Sequence, residues 1–574
     1  MSDQEPSVQQ TQHAFLVAWG RFGAEIGLIK AIQAVKLKQK KYTHEPQTKV
    51  LEFLVATLAG LKQLQEISLA AHPLAKDQAV AEAWGQPGWA DYTGVSRTLS
   101  SLSWAEVHEL VQALEQVSQP FLKAELDLLR RQGNRLRMDG DLTGIPVSST
   151  SRTYPHAAFG HMDDGIRLGY QAGLVSLESP TYRRLWLSVD HHPGDTVSCT
   201  QAEALVLAAE ARTGVRPRRR TEYLRQRILA FREQMVPTQQ RVHTQQQAVA
   251  EAHTRLREAH QQAQERQQVL ADLEQVYQAH QRPERPTSRL AQARQRWQAA
   301  QKRCQSREKA LQKVQTKLTK TQAQWSQQQT ELSQLESRLE RFEQDNRTNL
   351  TPVDIEFRLD AGFGTYENLA LLIELGYEVY TKPHSHRVVH YLRSQLTQQT
   401  EWTRVGDNAE MVAWSHVQLK RCPYPMNVAL ERFYTGKTLK HSALLHFGSD
   451  PVTQDLPAWF EHYNGRQIIE AGIKESKQVF HLHRIKVRSE PAIYFQECCV
   501  IFAANFIRWA TQWLAQQEAP AENSLDVRKM GIKRQVQVAA HVSAQVIRDS
   551  AGWLLKFSEQ STFAGKVLRL PGAG

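Results

Sequence analysis

A chain of 574 residues is too long to fold around one hydrophobic core, so two to four domains are expected. Its formal charge of +12 points to a polyanionic partner, nucleic acid first. Five cysteines (199, 304, 422, 498 and 499) are odd in number and form no CxxC pair, which argues against a disulfide framework and fits a reducing cytosol. No secretory leader is read in the polar start MSDQEPSVQQTQ. The most apolar run, 492–514, is interrupted by Gln496, Glu497, Asn505 and Arg508, so it reads as a buried core helix and no membrane span is expected.

Residues 12–130 read as helices throughout, with amphipathic runs such as KVLEFLVATLAGLKQLQEI and SWAEVHELVQALEQV. Within them, DYTGVSRTLSSLSWAEV (91–107) has a polar turn followed by Ser96, Arg97 and Thr98. These open a helix as a helix-turn-helix would when presenting side chains to DNA. The basic run KLKQKK (36–41) reads as a solvated face. From 134 the period becomes that of strands, in NRLRMDGDLTGIPV, GIRLGYQAGLVSL and RRLWLSVDHH, and the helix TQAEALVLAAEAR (200–212) follows. A fourth strand, IEFRLDAGFG (355–364), continues this order only after about 140 residues.

The intervening residues carry heptads. From Leu290 to Leu339 an apolar residue or cysteine recurs at every seventh position, Trp297 and Trp325 among them, and an upstream arm does the same from Val242 to Tyr277. Between the arms, QRPERPTS (281–288) breaks the helix with two prolines. The expectation is an antiparallel coiled-coil hairpin whose second arm is about 90 Å long at 1.5 Å per residue. Beyond it lie the helix YENLALLIELG, the strand YEVYTKP, a mixed strand-and-loop region to about 450, and the helix YNGRQIIEAGIKESK (463–477). Without the hairpin the order is β-β-β-α-β-α-β and then α. This is one α/β domain, a mixed sheet flanked by helices, split by an insertion whose ends return side by side.

Tyr463, Arg466, Glu470 and Lys477 fall on one narrow face of that last helix, and Gly465 and Gly472 interrupt it at a cost of roughly 1 kcal/mol each against Ala. Asp141, in a DxT arrangement in the first strand, Asp360 at the end of the fourth, and Glu470 would supply three carboxylates from two strand ends and a helix. Such an oxygen set suits Mg²⁺. Two ions roughly 3.5–4 Å apart can activate a water or 3′-hydroxyl and stabilise the leaving oxygen at phosphorus. Asp139 faces the same side of the strand and is the alternate to Asp141. Arg466 and Lys477 would hold phosphates, Tyr463 would hydrogen-bond or stack, and the glycines would let DNA approach. The histidines near 189–195, 382–390 and 480–484 show no closed four-ligand zinc set, and a structural or DNA-facing role is expected of them. YTGKTLKH lacks the first glycine of a phosphate loop.

The DxT, DAGF and YNGRQIIEAGIKESK motifs, with Tyr463, Arg466, Glu470 and Lys477 in Tyr-x2-Arg-x3-Glu-x6-Lys spacing, resemble bacterial insertion-sequence DDE transposases of the YREK-signature group. The resemblance covers most of 134–214 and 351–515. It implies an RNase H-like catalytic core with Asp141, Asp360 and Glu470 as catalytic, metal-binding residues for two Mg²⁺ ions, Mn²⁺ substituting. It implies DNA contacts from Tyr463, Arg466 and Lys477, to which Ser96 and Arg97 are added from the helical region. The activity implied is cleavage at terminal inverted repeats and joining to target DNA, by a dimer acting on double-stranded ends in the bacterial cytoplasm, at the nucleoid. The expected domains are an all-α N-terminal end-binding domain (1–130), a first core segment (131–216), the coiled-coil insertion (217–349), a second core segment (350–515) with a strand-and-loop insertion at about 400–450, and a basic C-terminal segment (516–574). The long coiled coil departs from the family's pattern, and dimer bracing or target-DNA contact is the role expected of it. The rival readings are a domesticated, catalytically silent DNA-binding protein and a coiled-coil scaffold with a nucleic-acid-binding head.

Overall fold

The computed structural model describes residues 7–40, 43–150, 153–162, 165–517, 525–549 and 552–571. Lys41 of the KLKQKK run, the first six residues and parts of the C-terminal segment lie outside them. The chain forms two compact units. One runs to Arg218 and resumes at Thr351, and the other is Arg219–Leu350.

The first unit opens with β1 (Ser7–Thr11), then the helices α1 (Ala14–Glu25), α2 (Leu28–Ala34), α3 (Pro46–Leu58), α4 (Glu66–Leu69), α5 (Gln78–Ala83), α6 (Tyr92–Ser100) and α7 (Trp104–Arg131). Local chemistry sets several of these starts. Pro46 opens α3 where its missing N–H costs nothing, and Ser103 with Glu106 forms a reciprocal capping box on α7. Asp91 caps α6, accepting from Gly94 N–H, so this helix begins four residues before Ser96. Ser96 and Arg97 therefore sit in its second turn, Arg97 exposed and Thr98 buried, which removes Thr98 from any DNA-facing set.

Strands β2 (Leu136–Pro146), β3 (Ala158–Met162), β4 (Gly165–Ser179) and β5 (Arg183–Pro193) precede α8 (Ala202–Thr213). The second unit then follows as α9 (Thr221–Ala279) and α10 (Arg289–Thr348). Back in the first unit come β6 (Ile355–Leu359), α11 (Tyr366–Glu374), β7 (Glu378–Thr381), α12 (His386–Ser394), β8 (Thr403–Arg404), β9 (Ala409–Val417), β10 (Met426–Thr435) and β11 (Thr438–Phe447). The chain ends with α13 (Leu456–Asn464), α14 (Gln467–Gln478), α15 (Glu490–Gln517), α16 (Ile532–Gln537), β12 (Ala544–Asp549), β13 (Gly552–Phe557) and β14 (Val567–Pro571).

Ten strands form one mixed sheet in the order β3-β4-β2-β6-β7-β11-β10-β9-β8, with β5 paired to β4. β2, β6 and β7 run parallel at its centre, while β4 is antiparallel to β2, and β5 to β4. The strand-and-loop region expected near 400–450 supplies β8 to β11, an antiparallel extension of the same sheet through β7. A second sheet, β1-β12-β13-β14, joins the two ends of the described chain, Thr11 pairing with Ala544. The N-terminal region is thus not all-α. SVQQT has no alternating apolar face, and its partner strand is more than 500 residues away, so nothing local marks it as a strand.

Helix α15 is the hub of the first unit. Phe506 and Trp513 meet Phe22 of α1, Trp509 stacks on Phe121 of α7 at 4.5 Å, and Phe495 meets Phe53 of α3. Its polar interruptions all have partners. Asn505 bonds both the N–H and the carbonyl of Trp186 at 2.9 Å, Glu497 pairs with His191, Gln496 accepts from Lys486 N–H, and Arg508 bonds Glu475. Among the described residues no helix is long and apolar enough to cross a membrane.

In the second unit the two long helices run antiparallel, as the pairings Arg225–Glu343 near the base and Arg294–Glu274 near the tip show. Leu270, Leu290 and Ala293 pack together with Trp297 and Tyr277 at the tip, and Leu311, Leu335 and Phe342 are buried further down. At the base, Arg219 N–H donates to Asn346 Oδ1 (2.8 Å), Asn346 Nδ2 donates back to Arg219 O (2.9 Å), and the Arg219 guanidinium pairs with Asp345 above the Phe342 ring. Within the first unit, Val353 N–H donates to Arg216 O, so the flanks of the insertion meet.

Candidate active site

Gly140 of β2 pairs in parallel with Leu359 of β6. β6 ends there while β2 runs on, paired to β4, so Asp360 just past the end of β6 and Asp141 within β2 stand side by side where the parallel pairing stops. A Cβ on Gly140 would stand 2.9 Å from the Leu359 side chain and 3.1 Å from the Phe357 ring, so glycine leaves room for these side chains of β6. Backbone anchors hold the end of β6: Thr381 Oγ1 donates to Asp360 O (2.9 Å), and Tyr463 Oη donates to Leu359 O (3.3 Å).

The carboxylates gather around one guanidinium. Arg466 Nη1 lies 3.3 Å from Asp141 Oδ2, and its Nη2 bonds Glu470. Burial first, and then the charge of Asp360, push the Asp141 carboxyl up to about 7, against the pull of Arg466 and a hydrogen bond from Leu142 N–H. Burial also raises Asp360, with Glu470 adding to it and Arg466 opposing. Burial alone would lower Arg466, but Asp141, Tyr463, Glu470 and Asp360 outweigh it and raise its pKa. Asp141 and Glu470 line a cleft of about 290 Å³ with Leu142, Thr143, Lys474 and Lys477. Asp360 lines a neighbouring cleft of about 530 Å³ with Gly362 and His384, and the two share Leu142 and Thr143 as a wall.

Asp139, the alternate to Asp141, is committed elsewhere. Arg358, its cross-strand neighbour, grips it with Nε at 2.7 Å and Nη2 at 2.9 Å, and reaches Glu178 and the His462 carbonyl with its remaining donors. Burial would lower Arg358, but Asp139, Glu178 and Glu356 hold it above its ordinary value.

The stretch 463–477 is two helices rather than one. His462 O, which an uninterrupted α-helix would bond to Arg466 N–H, accepts instead from Gly465 N–H and from Arg358, while Arg466, Ile468 and Ile469 N–H bond three residues back. Tyr463, at the end of α13, is buried with Trp459, Met411 and Tyr380. Burial pushes its hydroxyl up to about 12. The expected stacking or hydrogen bond to DNA is thereby corrected: this ring faces the core. The two glycines are also accounted for differently. A Cβ at Gly465 would stand 2.6 Å from the Arg358 guanidinium, and one at Gly472 2.3 Å from that of Arg184. Each glycine makes room for a buried arginine from the sheet. Arg184 further fixes α14 by bonding Ile468 O and Glu475.

Lys477 lines the cleft as its spacing suggests, while Ser96 and Arg97 belong to α6 and do not line it. Lys474 stands outside the four-residue signature, although its place four residues after Glu470 puts it on the same face. His384 lines the Asp360 cleft, and its HxH surroundings alone give no sign of that place.

The donor set fits a divalent cation in its chemistry. Asp360 Oδ1 is buried with no hydrogen-bond partner, and three carboxylates share the single positive charge of Arg466 with Asp141 held near neutrality. Their ligand atoms do not all approach within 4.8 Å of one another. Among the described residues the set that does is Glu378, His446 and Asp450. There Arg135 Nη1 already sits 2.7 Å from both carboxylates, which are spent on fixing the start of β2.

No family model and no curated protein matches this chain. Among solved structures, a cryo-EM structure of piggyBac transposase, a synaptic complex with hairpin DNA, is similar at a TM-score of 0.38 and 9% identity, covering 94% of this chain and 83% of that one. A likeness this slight assigns no reaction.

Proposed function

We propose that the chain is a DDE transposase with an RNase H-like core, which cleaves DNA at terminal inverted repeats and joins the ends to target DNA by metal-dependent phosphoryl transfer. The observation that carries the reading is the convergence of Asp141, Asp360 and Glu470 on Arg466 where the parallel pairing of β2 with β6 stops. The order β5-β4-β2-β6-β7, antiparallel on one side of β2 and parallel on the other, supports the core type.

Asp141, Asp360 and Glu470 would hold two Mg²⁺ ions, or Mn²⁺ in their place. The chemistry such ions supply when bound is activation of a water or 3′-hydroxyl and stabilisation of the leaving oxygen. Arg466 pairs with Asp141 and Glu470 and, once they are otherwise neutralised, is free to turn its fork to a phosphate. Lys474 and Lys477 line the same cleft and place two more cations where a DNA backbone would pass. Tyr463 and Thr381 position Asp360 through the backbone carbonyls of Leu359 and of Asp360 itself. A pair of protomers acting on paired ends belongs to this reading as well.

The test is nicking of duplex DNA that carries the element's own ends, in Mg²⁺ or Mn²⁺. Wild type nicks and Glu470→Gln does not, while both bind the ends. If wild type binds the ends and nicks under neither metal, the chain is a DNA-holding protein and the enzymatic reading is wrong.

A further inference from the structure

The two arms of the hairpin differ in charge. Between 289 and 320, α10 carries ten Lys or Arg and a single acid, Glu308, which pairs with His260. The stretch of α9 beside it, 250–279, carries three Arg and five Asp or Glu. Lys302, Lys309, Lys313, Lys317 and Lys320 are all exposed, and none forms an ion pair among the described residues. At about 100° per residue they cluster on the side of α10 opposite the buried Ala300, Cys304 and Leu311. They span about 27 Å at 1.5 Å per residue.

A solvated coiled-coil face ordinarily interleaves both signs, since opposite charges at i,i+4 stabilise the helix. Here Lys309–Lys313 and Lys313–Lys317 are like charges at i,i+4, each mildly destabilising, with no acid on the same face to offset them. The pattern works against the helix and in favour of a polyanion lying along it.

We propose that this lysine stripe is a docking surface for the phosphate backbone of double-stranded DNA, read without regard to sequence. The segment 302–320 has no aromatic residue on which unpaired bases could stack, which disfavours single strands. Its outer face is Lys, Gln, Ser and Thr with no exposed large apolar side chain to enter a lipid surface. A straight, stiff row of cations suits a stiff duplex, whose charge is spaced at about 1.7 Å along its axis. The choice of DNA over another polyanion rests on the function proposed above; the charge pattern itself does not.

The experiment measures binding of the full chain to a random-sequence duplex of about 40 base pairs as NaCl is varied, for wild type, for a variant with all five lysines changed to Gln, and for one with all five changed to Arg. Five lost phosphate contacts lower the slope of log Kd against log salt by about 4.5 and weaken binding at least about tenfold at physiological salt. The Arg variant keeps the wild-type slope, and far-ultraviolet circular dichroism of all three shows the hairpin intact. An unchanged slope in the Gln variant overturns the proposal, and so does a slope that falls only for a single strand of the same length. Failure of metal-dependent nicking leaves this slope untouched, so the two ideas fail separately.

Discussion

Asp139 and Asp141 stand two residues apart on one face of β2, yet their surroundings differ in kind. Asp139 and Arg358 are 1% and 2% exposed and joined by two short hydrogen bonds, whereas Asp141 and Arg466 are 15% and 13% exposed and meet in one contact at 3.3 Å, with Glu470 at 53%. The first pair is closed, each nitrogen of its guanidinium bonded to a carboxylate or carbonyl. The second is open to a cleft and short of positive charge. One strand thus carries a carboxylate that builds the fold and, one pleat further, a carboxylate available for chemistry. What separates them is the arginine each meets, not the aspartate.

The most severe way to break this contrast is to remove Asp139. Asp139→Ala leaves the Arg358 charge buried beside the weaker partner Glu178, and a loss of about 3–5 kcal/mol is expected in denaturant unfolding followed by tryptophan fluorescence. Asp141→Ala is expected to cost far less stability while ending metal-dependent nicking. Equal destabilisation by the two would erase the distinction.

The open pair also differs in how it answers pH. The Asp141 pKa is raised from 3.8 to about 7, so its contribution to stability is whole below about pH 4 and is lost as pH rises through 7. Between those limits the unfolded chain has released a proton that the folded chain keeps. Wild type should therefore lose about 1.4 kcal/mol per pH unit that Asp141→Asn does not lose. Mg²⁺ added at pH 8 should restore stability to wild type and leave Asp141→Asn unchanged. Parallel pH profiles for the two proteins would place the unfavourable charge elsewhere.

These contrasts also mark what the sequence could yield. The heptads of α9 and α10, the alternating strands and the spacing of Arg466, Glu470 and Lys477 are local patterns, and local patterns survive in one dimension. Asp141 and Asp360 can be picked out because one lies in, and the other just after, a strand of recognisable type. The partners of Asp139 and of the two glycines are hidden, since Arg358 and Arg184 reach α13 and α14 from 104 and 284 residues away. Tyr463 misleads for the same reason: spacing gives a helix face, but Met411 and Tyr380 from distant strands decide that this face is inside. The pairing of β1 with β12 has no local trace at all.

A smaller effect tests the glycines. Replacing Gly by Ala in a solvated helix should gain roughly 1 kcal/mol from propensity. Gly472→Ala would instead press its methyl against Arg184, which is buried and bonded to Ile468 O and Glu475, and a net loss of about 1–3 kcal/mol is expected in thermal unfolding. A stabilised Gly472→Ala would mean that Arg184 can withdraw at no cost, and the docking of α14 on the sheet would need another explanation.

The mildest change separates positioning from contact. Tyr463→Phe keeps the ring that packs against Trp459 and removes the hydroxyl's hydrogen bonds, to Leu359 O and with Arg466, so about 1 kcal/mol of stability should be lost. Because the hydroxyl faces the backbone of β6 and the Arg466 guanidinium inside the protein, DNA affinity should change little, while the nicking rate should fall as the Asp360 end of β6 and Arg466 loosen. If Tyr463 touched DNA, the opposite would hold: affinity would drop with stability intact. Measuring affinity and melting temperature on the same preparation therefore decides which end of α13 the phenol serves.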